Sequence, residues 1–163
     1  MTPQAEPPYI PPWWGAEPIR FWISTEMRQF ADEVRMALLT FSREKMPDGR
    51  PLRLSFQEIF APQQSRCIDF RLEPLVGLLG LGMYPPPLNQ EPQAGDVTLN
   101  ADVFKNPECR PLMLPTLIHE IAAHSLGMGH VYLPESVRFP NITAGKINLA
   151  PIDRESLITV YGA

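Results

Sequence analysis

The segment from His119 to His130, HEIAAHSLGMGH, constrains this chain most, because it contains all three of the chain's histidines. Imidazole nitrogens are common zinc ligands, and histidines about one helical turn apart can reach the same ion. Glu120 follows the first histidine and can reach a water molecule at such a site. Gly127 can end the helix and turn the chain back toward the metal. The candidate ligands of one catalytic Zn²⁺ are therefore His119, His124 and His130.

The spacing of the first two histidines leaves three interpretations open. Four residues separate His119 from His124, and in a regular helix side chains five positions apart point about 140° away from each other. A π-bulge over residues 121 to 123 would absorb the additional residue and bring the two histidines together. Alternatively, the helix is regular and Glu120 becomes the first ligand. In the third interpretation no metal binds, and hydrogen bonds satisfy the histidines.

Length and composition exclude several classes of function. The chain has 163 residues, enough for one domain with a hydrophobic core, and a formal net charge of −4. We expect no nucleic-acid partner, because such partners usually require a basic surface. No apolar segment is long enough to span a bilayer, and we see no signal peptide, so we expect no membrane partner. We also expect a monomer. Cys67 and Cys109 either form one disulfide or stay as thiols.

The chain divides into a leader and one domain. It contains 20 prolines, many of them between Pro3 and Pro12. Residues 1–15 are therefore expected to form an extended proline-rich leader, anchored to the body by Trp13 and Trp14. Residues 16–163 are expected to form a single domain.

The order of predicted elements indicates an α+β fold. Alternating or β-favouring residues predict strands at 19–23, 52–57, 67–72 and 97–100, and a glycine-rich edge strand with close backbone approach within 76–84. After Ser24 or Thr25, apolar residues at helical spacing predict an amphipathic helix of about five turns. The motif helix can begin at Pro111 or Pro115 and ends at Gly127. A last helix begins at Pro151 or Asp153.

These features together resemble the metzincin peptidases, and most closely the matrixin (matrix metalloproteinase-like) catalytic domain. The resemblance rests on the pattern H-E-x-x-x-H-x-x-G-x-x-H, on Gly95-Asp96-Val97 before the motif helix, and on the spacing from His130 to Pro140. It covers about Ile19 to Gly162. It implies an α/β (α+β) fold with a twisted mixed sheet, a backing helix, an active-site helix and a small C-terminal subdomain that ends in a helix.

The resemblance also implies a function. It implies a zinc-dependent endopeptidase, with Glu120 as general base, a peptide or protein substrate, and secretion from the cell. An extended substrate would pair with the edge strand, and further residues would line a side-chain pocket. The implied substrate-binding residues are Leu79, Gly80, Leu81, Gly82, Pro140, Asn141 and Ile142. Whether calcium also binds is left undetermined.

Two departures from the family pattern favour an alternative function. One is the additional residue in the motif, and the other is Arg138 at the position of the family's Met-turn methionine. A guanidinium beneath a bound cation is costly unless it points away. The alternative is a non-catalytic metzincin-like pseudoenzyme or protein-binding module. Gly127, Arg138 and Asp153 are expected to have structural roles in either case.

Overall fold

The computed structural model describes residues 5–15, 17–62, 66–85 and 95–162. Its five strands are β1 (Ile19–Ile23), β2 (Phe56–Ile59), β3 (Cys67–Glu73), β4 (Gly80–Gly82) and β5 (Val97–Asn100). Its α-helices are α1 (Ala31–Ser42), α2 (Ala101–Phe104), α3 (Met113–Glu120) and α4 (Pro151–Tyr161). Short 3₁₀ segments, Arg28–Phe30 and Pro107–Leu112, precede α1 and α3.

The strands form one mixed sheet in the order β2-β1-β3-β5-β4. The first four strands are parallel, and β4 pairs antiparallel with β5, with Leu81 opposite Thr98. Along β1 every second side chain is buried, as the period of a half-covered strand requires. The mixed α+β fold predicted from the sequence is therefore confirmed.

The helices bring the histidine motif next to the edge of the sheet. The helix α3 contacts α1, β4 and β5, and its side chains from Thr116 to Glu120 are all buried. The buried face of α1 contributes Val34, Leu38 and Phe41 to the same hydrophobic core. A site built at the end of α3 therefore lies on a rigid support and beside the exposed edge of β4.

Two elements differ from the sequence predictions. The amphipathic helix is shorter than five turns, because residues 28–30 form a 3₁₀ segment in which Phe30 N–H donates to Met27 O at 2.9 Å. The strand predicted over 52–57 occupies Phe56–Ile59 instead. Leu52 and Leu54 are buried as expected, but Arg53 N–H donates to Tyr161 O at 2.8 Å, at the end of α4 and outside the sheet. The sequence also did not predict the short helix α2.

The described part of the leader is anchored through one of its two tryptophans. Trp13 is 1% exposed and belongs to the hydrophobic core. The prediction that Trp14 is a second anchor is wrong, because Trp14 is 42% exposed and contacts only the guanidinium of Arg53 among the ring contacts of the described residues. The proline run that was expected to end the edge strand lies largely outside the described residues.

Two further observations bear on the sequence predictions. Cys67 and Cys109 are thiols and form no disulfide, and the Sγ atom of Cys67 lies 3.5 Å from Asp69 Oδ1. No helix within the described ranges combines the length and the apolar character needed to cross a bilayer.

Candidate metal centre

The helix that carries the first two histidines changes its winding between them. The segment Ile121–Ser125 is π-helical and directly continues α3. Leu126 N–H donates to Ile121 O at 2.8 Å, an i to i−5 hydrogen bond that defines this winding. The additional residue of the motif is absorbed here, so the predicted π-bulge is confirmed. The alternative of a regular helix with Glu120 as first ligand is wrong.

The bulge brings the three histidines together. His119, His124 and His130 each offer a ring nitrogen, and these three nitrogens all lie within 4.8 Å of one another. Zn–N bonds are about 2.0–2.1 Å long, so two nitrogens bound tetrahedrally to one ion lie about 3.4 Å apart. Placing all three on one ion therefore requires side-chain rotations that draw these nitrogens closer together. The donor set is three imidazole nitrogens, which suits zinc and leaves a fourth position open.

His119 is held in one orientation by the loop that follows the motif. Its Nδ1 lies 2.9 Å from the carbonyl oxygen of Val137, so this nitrogen carries the proton and donates it. Nε2 is then the atom available to a metal. Burial lowers the pKa of His119 to about 4, which keeps the ring neutral. A neutral imidazole with one nitrogen fixed by a carbonyl is the usual state of a histidine ligand.

Glu120 lies beside the second histidine in a dry environment. Its Oε2 is 3.4 Å from Nε2 of His124 and has no hydrogen-bond partner among the described residues. Burial raises the pKa of Glu120 to about 7, partly offset by a backbone hydrogen bond from Gly82. Burial also lowers the pKa of His124 to about 4. The Nδ1 atom of His124 is also buried without a hydrogen-bond partner among the described residues, and such atoms are expected where an ion or a water completes a site.

Gly127 and Gly129 shape the loop to the third histidine. Their φ angles are +73° and +77°, a region that L side chains rarely adopt. A Cβ atom on Gly127 would also collide with the carbonyl oxygen of Tyr9. The predicted role of Gly127 in ending the helix agrees with this geometry. Gly129 also adopts a backbone conformation that favours glycine, and the sequence pattern did not indicate this.

Arg138 points away from the cluster and into a network behind it. Its side chain is 1% exposed, and Nε donates to Asp153 Oδ1 at 3.0 Å. Its two terminal nitrogens donate to the carbonyl oxygens of Met128 at 2.6 Å and Gly129 at 3.3 Å, and to Ser156 Oγ at 2.8 Å. The guanidinium therefore fixes the backbone that leads to His130. Its positive charge is balanced by Asp153, so it is no obstacle to a cation at the histidines.

Asp153 joins the start of α4 to the same loop. Its Oδ2 accepts from Ala150 N–H at 2.9 Å and from Val137 N–H at 3.1 Å, and its Oδ1 accepts from Ser136 Oγ at 2.5 Å. These bonds satisfy a fully buried carboxylate and cap the helix. Because Val137 O also holds His119, Asp153 indirectly fixes the first histidine.

A cleft of about 530 Å³ opens in front of the histidines. Six of the seven residues predicted to bind substrate line it, together with His119, Glu120, His124 and His130. The six are Leu79, Gly80, Leu81, Pro140, Asn141 and Ile142. The seventh, Gly82, lies against the motif helix instead, since a Cβ there would come within 2.8 Å of His124. The two further lining residues, Gly77 and Leu78, were not predicted.

The sequence patterns also missed Glu6 and Tyr84. Glu6 Oε2 accepts from the backbone N–H of His130 at 2.9 Å and from the hydroxyl of Tyr84 at 3.2 Å. The Tyr84 ring meets the ring of His124 edge-on, with centroids 5.0 Å apart. No local signal marks either residue, because each reaches the motif from a distant part of the chain.

Comparison with known proteins supports the fold. Neither a protein-family model nor a curated protein sequence matches this chain. Among solved structures, it is similar to a chain of the GM1-bound form of the ECX AB5 holotoxin, with a TM-score of 0.59 and 14% identity over 90% of this chain and 81% of the other. It is also similar to the structure of myroilysin, with a TM-score of 0.55 and 12% identity over 98% of this chain and 96% of the other. At these identities the similarity shows that the two proteins share a fold with this chain, and it shows nothing beyond the fold.

Proposed function

We propose that this chain is a zinc-dependent endopeptidase. The observation that carries the proposal is the convergence of three histidine nitrogens within 4.8 Å, despite a motif spacing that a regular helix would not tolerate. A buried carboxylate, Glu120, lies at the edge of this cluster and faces a cleft. Similarity in fold to myroilysin supports the same interpretation.

His119, His124 and His130 are the residues that would hold the zinc ion. When bound, the ion supplies a Lewis acid that lowers the pKa of water and polarises a carbonyl group. Glu120 is placed to act as general base. Its Oε2 would accept a proton from the attacking water and then deliver that proton to the amine nitrogen of the leaving product. The dry surroundings of Glu120 strengthen this proton transfer, because little water competes for the carboxylate.

The edge of the sheet suggests how a peptide would be oriented. β4 is the last strand of the sheet order, so one side of its backbone has no strand partner among the described residues. An extended peptide can add to such an edge through main-chain hydrogen bonds. Residues 79–81 and residues 140–142 both line the cleft. A peptide in this cleft would contact the wall that contains Glu120, since Glu120 lines the same cleft.

A cleavage assay with one conservative variant tests the proposal. Zinc-loaded protein is incubated with unstructured peptides, with and without a chelator, and products are identified by mass spectrometry. We expect cleavage that the chelator abolishes and that Glu120→Gln reduces by about 10²-fold or more, the range of general-base contributions. Glu155→Gln, the same change at an exposed position on α4, is the matched control and should cleave normally.

Two results would contradict the proposal in different ways. Cleavage that survives Glu120→Gln would show that another group activates the water. Zinc binding without cleavage of any peptide would leave the alternative, a non-catalytic protein-binding module on the same scaffold.

The finer assignments belong to the same proposal. The sequence pattern supports a matrixin-like member of the metzincins, a single domain over residues 16–163, a monomer, and secretion. Secretion and the oligomeric state are tested by following the protein in culture medium and by light scattering. The three histidines form the metal-ligand group that we assign to zinc, and we assign no residues to calcium.

A further inference from the structure

The described part of the leader runs beside the loop that carries the third histidine. Glu6 N–H donates to His130 O at 3.0 Å, and Tyr9 N–H donates to Gly127 O at 2.5 Å. Ala5 and Val131 form an antiparallel bridge. The backbone of the leader can approach this closely because Gly127 and Gly129 have no Cβ atoms. The leader is thus a direct neighbour of the metal centre over at least residues 5–9.

The carboxylate of Glu6 contacts the third histidine but does not line the cleft. Its Oε2 accepts from His130 N–H at 2.9 Å, and its Oε1 lies 3.6 Å from His130 Nδ1. Because Nδ1 of this ring faces Glu6, Nε2 is on the opposite side and is available to a metal. The 3.6 Å separation is slightly too long for a hydrogen bond, and a small rotation of either side chain would close it.

The same carboxylate is linked to the second histidine through Tyr84. Tyr84 donates its hydroxyl proton to Glu6 Oε2 at 3.2 Å, while its ring lies edge-on to His124. Glu6 therefore contacts two of the elements that build the centre, the loop of His130 and the segment after β4.

The position of the leader argues against a blocking role. Among the described residues that line the cleft, none belongs to the leader. Glu6 therefore contacts His130 from outside the lining of the cleft in which a substrate would lie. A carboxylate behind a histidine ligand commonly fixes the orientation of the ring and increases the basicity of its metal-binding nitrogen.

We propose that Glu6 is a positioning residue that orients His130 for metal binding, an inference that rests on the proposed zinc function. The carboxylate holds the backbone of His130 through its N–H group. It also accepts the Nδ1 proton when the ring turns toward the ion. The described leader is in this account a part of the metal centre.

Metal affinity measured on variants of Glu6 tests the proposal. The zinc dissociation constant is obtained by competition with a chromophoric chelator, and the cobalt-substituted protein gives a ligand-field absorption spectrum. We expect Glu6→Ala to weaken zinc binding by about 10–100-fold, the usual effect of losing such a partner. Glu6→Gln should lie between Glu6→Ala and the unaltered chain, because its amide oxygen still accepts from His130 N–H. Glu17→Gln, at an exposed position close to the leader, is the matched control and should bind zinc normally.

Thermal unfolding of the metal-free protein separates positioning from simple stabilisation. Positioning predicts a changed zinc affinity and cobalt spectrum, with similar melting temperatures for metal-free Glu6→Gln and unaltered protein. A lower melting temperature with unchanged affinity and spectrum would overturn the inference. If Glu6→Ala does not fold, Glu6→Gln decides. Normal binding by both variants overturns the inference and leaves the proposed function intact, whereas absence of zinc binding by the unaltered chain overturns both.

Discussion

Replacement of Arg138 by methionine tests how the structure tolerates a charge at this position. In a family-based account, Arg138→Met restores the apolar floor of the metal site and should stabilise the protein. In this structure it removes the partner of Asp153, which is 0% exposed, and the donors to the carbonyl oxygens of Met128 and Gly129. We therefore expect the variant to be less stable than the unaltered chain.

The magnitude follows from the contacts that are lost and retained. Removing one member of a buried ion pair typically costs about 3–5 kcal/mol. Asp153 keeps three donors, from Ser136, Val137 and Ala150, which moderates the loss. Three backbone carbonyl oxygens, those of Met128, Gly129 and Ile152, lose a donor, at about 1–3 kcal/mol each if they stay dry. Since a methionine fills part of the volume and these losses overlap, we expect a net destabilisation of about 3–5 kcal/mol.

Urea unfolding of the metal-free protein gives this value without a contribution from zinc. Arg154→Met is the matched control. Arg154 lies in α4, is half-exposed and forms a surface ion pair with Glu44. The control should change the free energy of unfolding by less than about 1 kcal/mol. An Arg138→Met variant as stable as the control would refute the conclusion that the hydrogen bonds and ion pair of Arg138 stabilise the fold.

Three further predictions concern the backbone of the site. Deletion of Ala123 should convert the π-turn to an α-turn, which also places the two helix histidines one turn apart. Zinc content measured by mass spectrometry should therefore persist. Loss of zinc from a folded variant would show that the bulge itself is required. In Gly82→Ala the new methyl group would lie 2.7 Å from Glu120 Oε2, so peptide cleavage should fall at least tenfold, and unchanged kinetics would contradict this close approach. In Gly127→Ala the new side chain would have a φ of +73° and would collide with Tyr9 O. The free energy of unfolding in urea should therefore fall by about 1–3 kcal/mol. An unchanged value would contradict the strained turn.

The winding of the motif helix could be predicted because the histidines restrict the possibilities. Three histidines and a glutamate at nearly the spacing of a zinc motif are compatible with few local structures. A π-bulge is the simplest one that brings His119 and His124 together, and residues 121–125 adopt it. The glycines of β4 likewise predicted a close backbone approach, which Gly80 makes to Thr116 and Gly82 makes to the motif helix.

Other features depend on partners that are distant in the sequence. Glu6 accepts from His130, 124 positions away, and no local pattern pairs two such residues. The direction of the Arg138 side chain follows from Asp153 and Ser156 on α4. The alternation of Leu52 and Leu54 was interpreted as a strand, but their burial arises beside the end of α4. Period alone does not distinguish a strand from an extended segment that packs on a helix.

The zinc content of protein purified without added metal tests the central claim most directly. Three imidazole nitrogens within 4.8 Å of one another predict one tightly held zinc ion per chain, with the metal lost in His124→Ala. Protein that contains no zinc, and that binds none when zinc is supplied at neutral pH, would contradict the account: the histidines would then form a hydrogen-bonded cluster on this α+β scaffold.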